Sequence, residues 1–99
     1  MRPIYLARLD KVRPVLVLTR EIVRPHLRTV TVAPITTTVR GLSTEVPVGA
    51  ANGLNERAVV ACDHITTVPA DALGVQIGQL FDAQEASLTE AIHAAFDLE

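Results

Sequence analysis

The chain contains an unbroken run of four apolar residues, 15–18, which follows Arg13 and Pro14 and ends before Thr19. A short run of this kind, rich in β-branched residues, is typical of a strand that is buried on both faces. Pro14 suits the first position of a strand, and it restrains Arg13 to an extended conformation. We therefore expect a strand over residues 13–19 with a guanidinium at its start. That guanidinium either binds an anion such as a phosphate or only keeps the strand end soluble.

Alternation of apolar and polar residues, or short apolar runs, predict the other strands. In residues 29–35, Val30 and Val32 alternate with threonines, which places both valines on one face. Residues 10–12 leave room only for a tight turn, so the first two strands are expected to form an antiparallel hairpin. Pro34 is expected to make its strand bulge or leave the sheet. The predicted strands cover residues 3–9, 13–19, 29–35, 43–48, 58–67 and 75–80.

Helical periodicity is concentrated at the end of the chain. Four apolar residues there have the spacing i, i+4, i+7 and i+8, which places them on one face of a helix. Asp82 precedes this helix, and Glu85 three residues later is typical of a capping box. Single helical turns are expected within residues 20–27, where Pro25 ends the turn, and within residues 69–73. The apolar face comprises Leu88, Ile92, Ala95 and Phe96.

Composition narrows the class of protein. Apolar residues make up 48% of the 99 residues but aromatic residues only 3%, so the core must be aliphatic. The length suits one domain over residues 1–99. The first residues lack the apolar core of a signal peptide and no run could span a membrane, so we expect a soluble, cytoplasmic protein without membrane contact. The single cysteine, Cys62, has no metal-ligand spacing around it, and we expect neither a metal nor a cofactor.

The net charge of −2 conceals two halves of opposite sign. Residues 1–40 carry eight basic and two acidic side chains, whereas residues 41–99 carry one basic and nine acidic side chains. This asymmetry points to a polyanion or an acidic peptide as the partner of the basic half. The alternative is that the two halves pair their charges across the fold.

Candidate chemistry follows the third predicted strand, where Thr36, Thr37 and Thr38 occur in succession and Arg40 follows. Hydroxyl groups, backbone N–H groups and a guanidinium suit the oxygens of a phosphate. The alternative is an ordinary loop after a strand in which threonine is favoured for its β propensity.

The histidines are weaker candidates. Asp63 and His64 look like a catalytic pair, but neighbouring residues of a strand point to opposite faces, so we do not expect His64 to be catalytic. His26 and His93 fall in a loop and on the final helix. No two histidines are therefore expected to act together as acid and base.

The order of these segments resembles the MazF/PemK toxins, the endoribonuclease components of type II toxin–antitoxin modules. The resemblance runs across nearly the whole chain. It rests on Arg13 and Pro14 before an apolar strand, on Val-Ala-Pro-Ile-Thr-Thr at 32–37, on Cys-Asp-His-Ile-Thr-Thr at 62–67, and on the last strand and helix. The fold that it implies is mainly β (α+β): an SH3-like, twisted antiparallel barrel of the CcdB/PemK kind with a C-terminal α-helix.

The resemblance also implies a function, that of an mRNA interferase. Such a toxin is a sequence-specific, metal-independent endoribonuclease that cleaves single-stranded mRNA, rRNA or tRNA and inhibits translation and growth. The 2′-OH attacks the phosphorus, which leaves a 2′,3′-cyclic phosphate and a 5′-OH end. The family's catalytic pair falls on Arg13 and Thr36, and the implied partners are a MazE-like antitoxin and a second copy in a homodimer. We expect further RNA contacts from Lys11, Thr37, Thr38 and Arg40.

The sequence departs from the family pattern in two places. The start reads Arg-Pro-Ile-Tyr at residues 2–5 instead of an Arg-Gly-Asp-like segment, and residues 10–12 replace a long Gly-rich loop. Because that loop contacts RNA bases in other members, the recognition sequence of those members is not expected to apply here.

Two other classes of function stay open from the sequence. One is a non-catalytic, CcdB-like toxin, although such a toxin binds gyrase through a C-terminal Trp-Gly-Ile and this chain has no tryptophan. The other is an interaction module whose basic half binds an acidic peptide. Mapping of RNA ends after incubation with the protein distinguishes these classes from the endoribonuclease.

Overall fold

The computed structural model describes residues 2–98. The β-structure of this part of the chain precedes one C-terminal α-helix, as the sequence predicts. The elements are β1 (Arg2–Arg8), β2 (Val12–Val17), β3 (Thr29–Thr36), β4 (Glu45–Val48), β5 (Ala58–Ala61), β6 (Thr66–Pro69), β7 (Leu73–Leu80) and α1 (Glu85–Phe96).

The strands form one curled antiparallel sheet in the order β4-β5-β3-β2-β1-β7, and β6 pairs with β3 off this path. The curl produces a half-barrel with α1 packed against its core, in agreement with the SH3-like, twisted antiparallel barrel that the resemblance implies. Pro47 lies in β4 at the edge of the sheet, where a missing N–H does not interrupt a ladder. Among the described residues, no helix has the length and apolar character needed to span a membrane.

Strand β2 is buried on both faces, as its apolar run predicts. Leu16 packs into a core with Leu88 of α1, whereas Val15 and Val17 pack with Val30 and other residues on the opposite side of the sheet. Each of these three β2 residues is at most 1% exposed. The strand ends at Val17 instead of residue 19, and it begins one residue before Arg13.

The predicted hairpin of the first two strands is confirmed. In the register of β1 and β2, Leu6 lies opposite Pro14 and Ala7 lies opposite Arg13. The connecting turn is tight, because the N–H of Leu9 already donates to the carbonyl of Lys11 at 3.0 Å. Arg13 is thereby held one residue inside β2, which pairs with β1 on one side and with β3 on the other.

Pro34 marks the point at which β3 changes its partner. Before it, residues up to Val32 pair with β6; after it, Ile35 and Thr36 pair with β5. Pro34 itself stays in register with Val15 of β2. The chain therefore remains in the sheet, and the missing N–H falls where no strand is paired on that side.

The prediction of a single strand over residues 58–67 is wrong. The segment forms β5, then a 3₁₀ turn at Cys62–His64, then β6. Val60 pairs with Ile35 and Thr66 pairs with Val32. Two residues of β3 separate these pairs on one side and five residues separate them on the other, so the additional residues leave the sheet as a turn. The buried Cys62 anchors this turn, because its N–H donates to the carbonyl of Thr44.

The other boundaries differ by a few residues. Strand β4 begins at Glu45 and not at residue 43, and β7 begins at Leu73 and not at residue 75. The expected helical turns occur at Arg24–His26 and at Ala70–Ala72, but Pro25 lies inside the first turn, where its missing N–H is not needed, instead of ending it.

The expected capping box of Asp82 and Glu85 is wrong, because a 3₁₀ turn at Asp82–Gln84 precedes the helix. Helix α1 starts at Glu85 with Gln84 at its N-cap and no side-chain cap hydrogen bond. The Glu85 carboxylate instead binds Nε of Arg2 at 3.1 Å. Phe96, which was placed on the apolar face, is 55% exposed.

Candidate active site

Arg13 is oriented by a carboxylate across the tight turn. Its Nε donates to Oδ1 of Asp10 at 3.1 Å and its Nη2 donates to Oδ2 at 3.2 Å. The N–H of Lys11 adds a third bond to Oδ1 of Asp10 at 3.0 Å. The hydrogen bond from Arg13 holds the pKa of Asp10 below its usual value, so this pair persists at neutral pH and is lost only as the pH falls through the lowered pKa.

Thr36 ends β3 beside Arg13, and the register of the strands explains why. Val15 of β2 lies opposite Pro34 of β3, and continuing this antiparallel register by two residues places Arg13 opposite Thr36. The hydroxyl oxygen of Thr36 accepts the N–H of Thr38 at 3.1 Å, which begins the loop after β3. The Thr36 O–H hydrogen thus stays available to a ligand oxygen.

The Arg13–Thr36 pair forms the common wall of two pockets. The first pocket has a volume of about 430 Å³ and the second about 290 Å³. The remaining lining of the first pocket is Leu6, Pro14, Ile35, Thr37, Gly53, Leu54, Asn55, Glu56, Ala58 and Ile77. The remaining lining of the second pocket is Pro34, Thr38, Arg40, Leu42, Glu45, Ala61, Asp63 and His64.

The two pockets differ in chemistry. The first has an aliphatic interior, with polar groups at the Arg13–Thr36 wall and from residues 55 and 56. Most of the residues that line the second pocket are polar or charged, and Arg40 is one of them. A phosphate bound by the Arg13–Thr36 pair would have room for one neighbouring nucleotide on each side.

A carboxylate holds the loop that carries the second pocket. Glu45 accepts the N–H of Arg40 at 3.2 Å and the N–H of Leu42 at 3.1 Å. Nearby, the hydroxyl of Thr44 donates to Oδ2 of Asp63 at 2.6 Å. These bonds fix the backbone of the loop while leaving the side chain of Arg40 exposed.

Most of the residues proposed from sequence meet in these pockets. Thr37 lines the first pocket, and Thr38 and Arg40 line the second. Lys11 does not line either pocket; it lies exposed in the turn, where its backbone binds Asp10.

Sequence reasoning missed two features of the site. Asp10 was treated only as a turn residue, although a carboxylate three residues before an arginine across a tight turn is a signal for this ion pair. The chain also turns at Cys62–His64 instead of continuing as the expected strand, and this turn brings both Asp63 and His64 to the second pocket.

Cys62 is not suited to nucleophilic chemistry. Its side chain is fully buried, and burial, with a smaller contribution from the charge of Asp63, raises the pKa of its thiol to about 11. The thiol therefore stays protonated and acts as a small core residue. Within residues 2–98, no group of three or more His, Cys, Asp or Glu side chains is arranged to hold a metal ion.

Comparisons with known proteins agree with this fold. The family described as PemK-like, MazF-like toxin of type II toxin–antitoxin system matches residues 3–96. A protein named Endoribonuclease MazF3 from Mycobacterium tuberculosis is 67% identical over 99 residues, which cover 100% of this chain and 96% of the relative. A second M. tuberculosis protein, Probable endoribonuclease MazF5, is 36% identical over 86 residues, which cover 86% of this chain and 79% of that protein.

Solved structures give the same result. The structure of the Mycobacterium tuberculosis toxin MazF-mt6 superposes with a TM-score of 0.97 at 66% identity and covers 99% of both chains. A mycobacterial endoribonuclease in complex with its cognate antitoxin superposes with a TM-score of 0.85 at 26% identity, over 98% of this chain and 93% of that chain. The match along nearly the full length shows that this chain belongs to the PemK-like, MazF-like toxin family of type II toxin–antitoxin systems.

Proposed function

We propose that this protein is the toxin of a type II toxin–antitoxin system and acts as an endoribonuclease on single-stranded RNA in the cytoplasm. The observation that carries this proposal is the position of the Arg13–Thr36 pair between two pockets. A guanidinium and a hydroxyl at that position suit a phosphodiester, and the pockets accommodate the nucleotides on both sides of it.

The proposed reaction is internal transfer at phosphorus. The 2′-oxygen of the ribose forms a bond to the adjacent phosphorus while the bond from phosphorus to the 5′-oxygen breaks. The 2′-OH gives up its proton and the departing 5′-oxygen gains one, which leaves a 2′,3′-cyclic phosphate and a 5′-OH. Negative charge accumulates on the phosphoryl oxygens, and fixed donors placed beside them lower the barrier.

Each residue of the site has a defined part in this reaction. Arg13 is too basic to act as a free base, so it stabilises the phosphoryl charge with the N–H groups that Asp10 does not occupy. Asp10 is a positioning residue that fixes the plane of the guanidinium. Thr36 donates its hydroxyl to the scissile phosphate, and Thr37, Thr38 and Arg40 contact the neighbouring nucleotides.

The test is incubation of the purified protein with total RNA in EDTA, followed by mapping of the new ends. We expect cuts that carry 2′,3′-cyclic phosphates and 5′-hydroxyls. Loss of cleavage on chelation, or products with 5′-phosphates, would contradict the proposed chemistry. A protein that binds RNA or an acidic peptide without new ends would contradict the ribonuclease itself.

The proposed partners are a MazE-like antitoxin and a second copy of the chain. The antitoxin is supported by the family match and by the relative solved with its cognate antitoxin. The basic charge of residues 1–40 favours an acidic antitoxin segment that competes with RNA, so its binding should weaken as salt rises. Light scattering at micromolar concentration should give the mass of a homodimer, and a fully active monomer would contradict that assembly.

A further inference from the structure

We propose that the first pocket binds the base of a nucleotide adjoining the scissile phosphate, and that Glu56 favours a base with an exocyclic amino group over uracil. The inference rests on the proposed ribonuclease function, because it states how that same site chooses its substrate. It assigns a specificity role to the loop between β4 and β5.

The first pocket has the size and lining of a base site. Its volume of about 430 Å³ falls in the range of small-molecule sites. Leu6, Leu54 and Ile77 are half-buried and provide apolar surface against which a flat ring can pack. Single-stranded RNA is usually held by stacking on aromatic rings, but no aromatic residue lines this pocket. Discrimination therefore has to come from the edge of the base.

Glu56 at the rim of the first pocket can recognise hydrogen-bond donors on a base. An ionised carboxylate accepts hydrogen bonds and donates none. Glu56 lines the pocket, is exposed, and among the described residues makes no hydrogen bond or ion pair that would occupy it. Cytosine and adenine present an exocyclic NH₂ to such a group, and guanine also carries one. Uracil has a carbonyl oxygen where cytosine has this NH₂, so a carboxylate placed against that position meets an acceptor instead of a donor, and only the ring N–H of uracil remains beside it.

Charge also determines which part of the substrate, the base or the phosphate backbone, enters the first pocket. Glu56 repels phosphates from the first pocket, whereas Arg13 on the shared wall and Arg40 in the second pocket attract them. The phosphodiester chain is thus directed along the Arg13–Thr36 pair, and the uncharged base is the part of the substrate that fits beside Glu56.

The loop that carries Glu56 is in direct backbone contact with β7. A Cβ on Gly53, whose φ is +94°, would overlap the carbonyl oxygen of Ile77. A Cβ on Gly78 would overlap the carbonyl oxygen of Asn52 in the same way. Only glycine permits this approach, which sets the position of the pocket rim relative to the sheet.

A buried amide reinforces this contact. Asn52 is 3% exposed, and its Nδ2 donates to the carbonyl of Gln79 at 2.9 Å and to Oε1 of Gln84 at 2.7 Å. Its Oδ1 accepts the N–H of Gly49 at 3.1 Å. The rim is therefore positioned before RNA binds, as a selective site requires.

The test compares cleavage preferences of wild type, Glu56→Gln and Glu56→Ala on an RNA pool of random sequence. Glu90→Gln is the matched control, since Glu90 is exposed on α1 and lines neither pocket. Sequencing of the cut ends gives the preference at each position. We expect wild type to disfavour uracil about tenfold at one position adjoining the cut, the scale of one base contact. Both Glu56 variants should lose that bias at that position alone, and Glu90→Gln should keep it.

A binding measurement separates recognition from chemistry. Two short RNAs, blocked at the cut by a 2′-O-methyl group, carry either cytosine or uracil at the selected position. Wild type should prefer the cytosine RNA about tenfold, and Glu56→Gln should bind both equally.

The outcomes distinguish this inference from the proposed function. Wild type that leaves no new ends in the pool overturns the ribonuclease and the inference with it. Wild type that cleaves, while Glu56→Gln keeps the same preference at both adjoining positions, overturns only the role of Glu56. If active wild type shows no bias against uracil at either adjoining position, the role of Glu56 is likewise overturned and the ribonuclease stands.

Discussion

The two pockets beside the Arg13–Thr36 pair are held in place by different means. The rim of the first pocket rests on β7 through glycine-mediated backbone contact and through the buried amide of Asn52. The loop of the second pocket is held by exposed hydrogen bonds that the carboxylates of Glu45 and Asp63 accept. The first pocket is therefore fixed by packing, and the second by polar bonds that water can replace.

This difference suits the two parts of a nucleotide chain. A base is flat and uncharged, and the hydrogen-bond donors and acceptors along its edge identify it. A pocket that distinguishes one base from another therefore needs a rigid wall. A phosphate is charged and is attracted from any direction, so an exposed guanidinium such as that of Arg40 is sufficient to bind it. Sequence preference is therefore expected to reside in the first pocket and salt-dependent affinity in the second.

The largest effect is expected from Arg13, which both pockets share. Arg13→Ala should abolish cleavage with the fold intact, because the side chain lies at a strand start and not in the core. Arg13→Lys should also fail, since an ammonium lacks the planar pair of donors. Each lost transition-state bond costs about 3 kcal/mol, which is more than a hundredfold in rate. Single-turnover rates and circular dichroism test this, and an active, folded Arg13→Ala protein would show that the site is elsewhere.

Gly78→Ala breaks the fixed wall of the first pocket. The added Cβ meets backbone and not a flexible side chain, so we expect a loss of about 1–3 kcal/mol in the free energy of unfolding, measured in urea. The first pocket should also lose its base preference. Gly49→Ala is the matched control, because a Cβ there meets nothing within 4 Å and stability should change by less than about 0.5 kcal/mol. Equal effects of the two substitutions would contradict the close contact.

Thr36→Val tests the hydroxyl on the shared wall. The change keeps the shape of the side chain but removes the hydrogen bond that the hydroxyl donates to the phosphate and the acceptor of the Thr38 N–H, so cleavage should slow by at least about tenfold, less than for either Arg13 variant. Thr67→Val is the control, since Thr67 carries a hydroxyl on β6 that bonds to Thr31 away from both pockets. A Thr36→Val protein with the rate of wild type would remove Thr36 from the mechanism.

The smallest effect is expected in the second pocket. Arg40→Ala should weaken RNA binding several-fold for every sequence and reduce the slope of log affinity against log salt by about 0.7, the contribution of one contact to a single strand. Arg20→Ala removes an exposed arginine that lines neither pocket and should leave that slope unchanged.

His64→Ala should keep most of the activity; if it is inactive while folded and Arg13→Ala is active, a histidine mechanism replaces the one proposed.

The sequence was sufficient for the parts of the site that local patterns control. The apolar run after Arg13, the short turn before it and the alternation up to Ile35 predicted these two strands to within two residues at each end. An antiparallel pairing of those strands then brings Arg13 and Thr36 together. The family resemblance, and not the pattern, named Arg13 and Thr36 as a pair; the register of the strands then explains why they line the same pockets.

The rest depended on contacts between distant segments. The turn at Cys62–His64 exists because β3 changes its partner at Pro34, which the apolar pattern of residues 58–67 does not reveal. The loop that contains Gly53 reads only as turn-rich, and its docking on β7 is a tertiary contact. Glu85 was assigned to a cap because its long-range partner, Arg2, has no local signal.

The central claim is that the substrate supplies the nucleophile and the protein supplies fixed charge and hydrogen bonds around one phosphate. The most direct test uses two RNAs of the same cleavable sequence, one of which has a single 2′-deoxy nucleotide on the 5′ side of the cut. We expect the deoxy RNA to bind as tightly as the unmodified RNA and to remain intact at that linkage. Cleavage of the deoxy RNA at a rate near that of the unmodified RNA would mean that another group attacks the phosphorus.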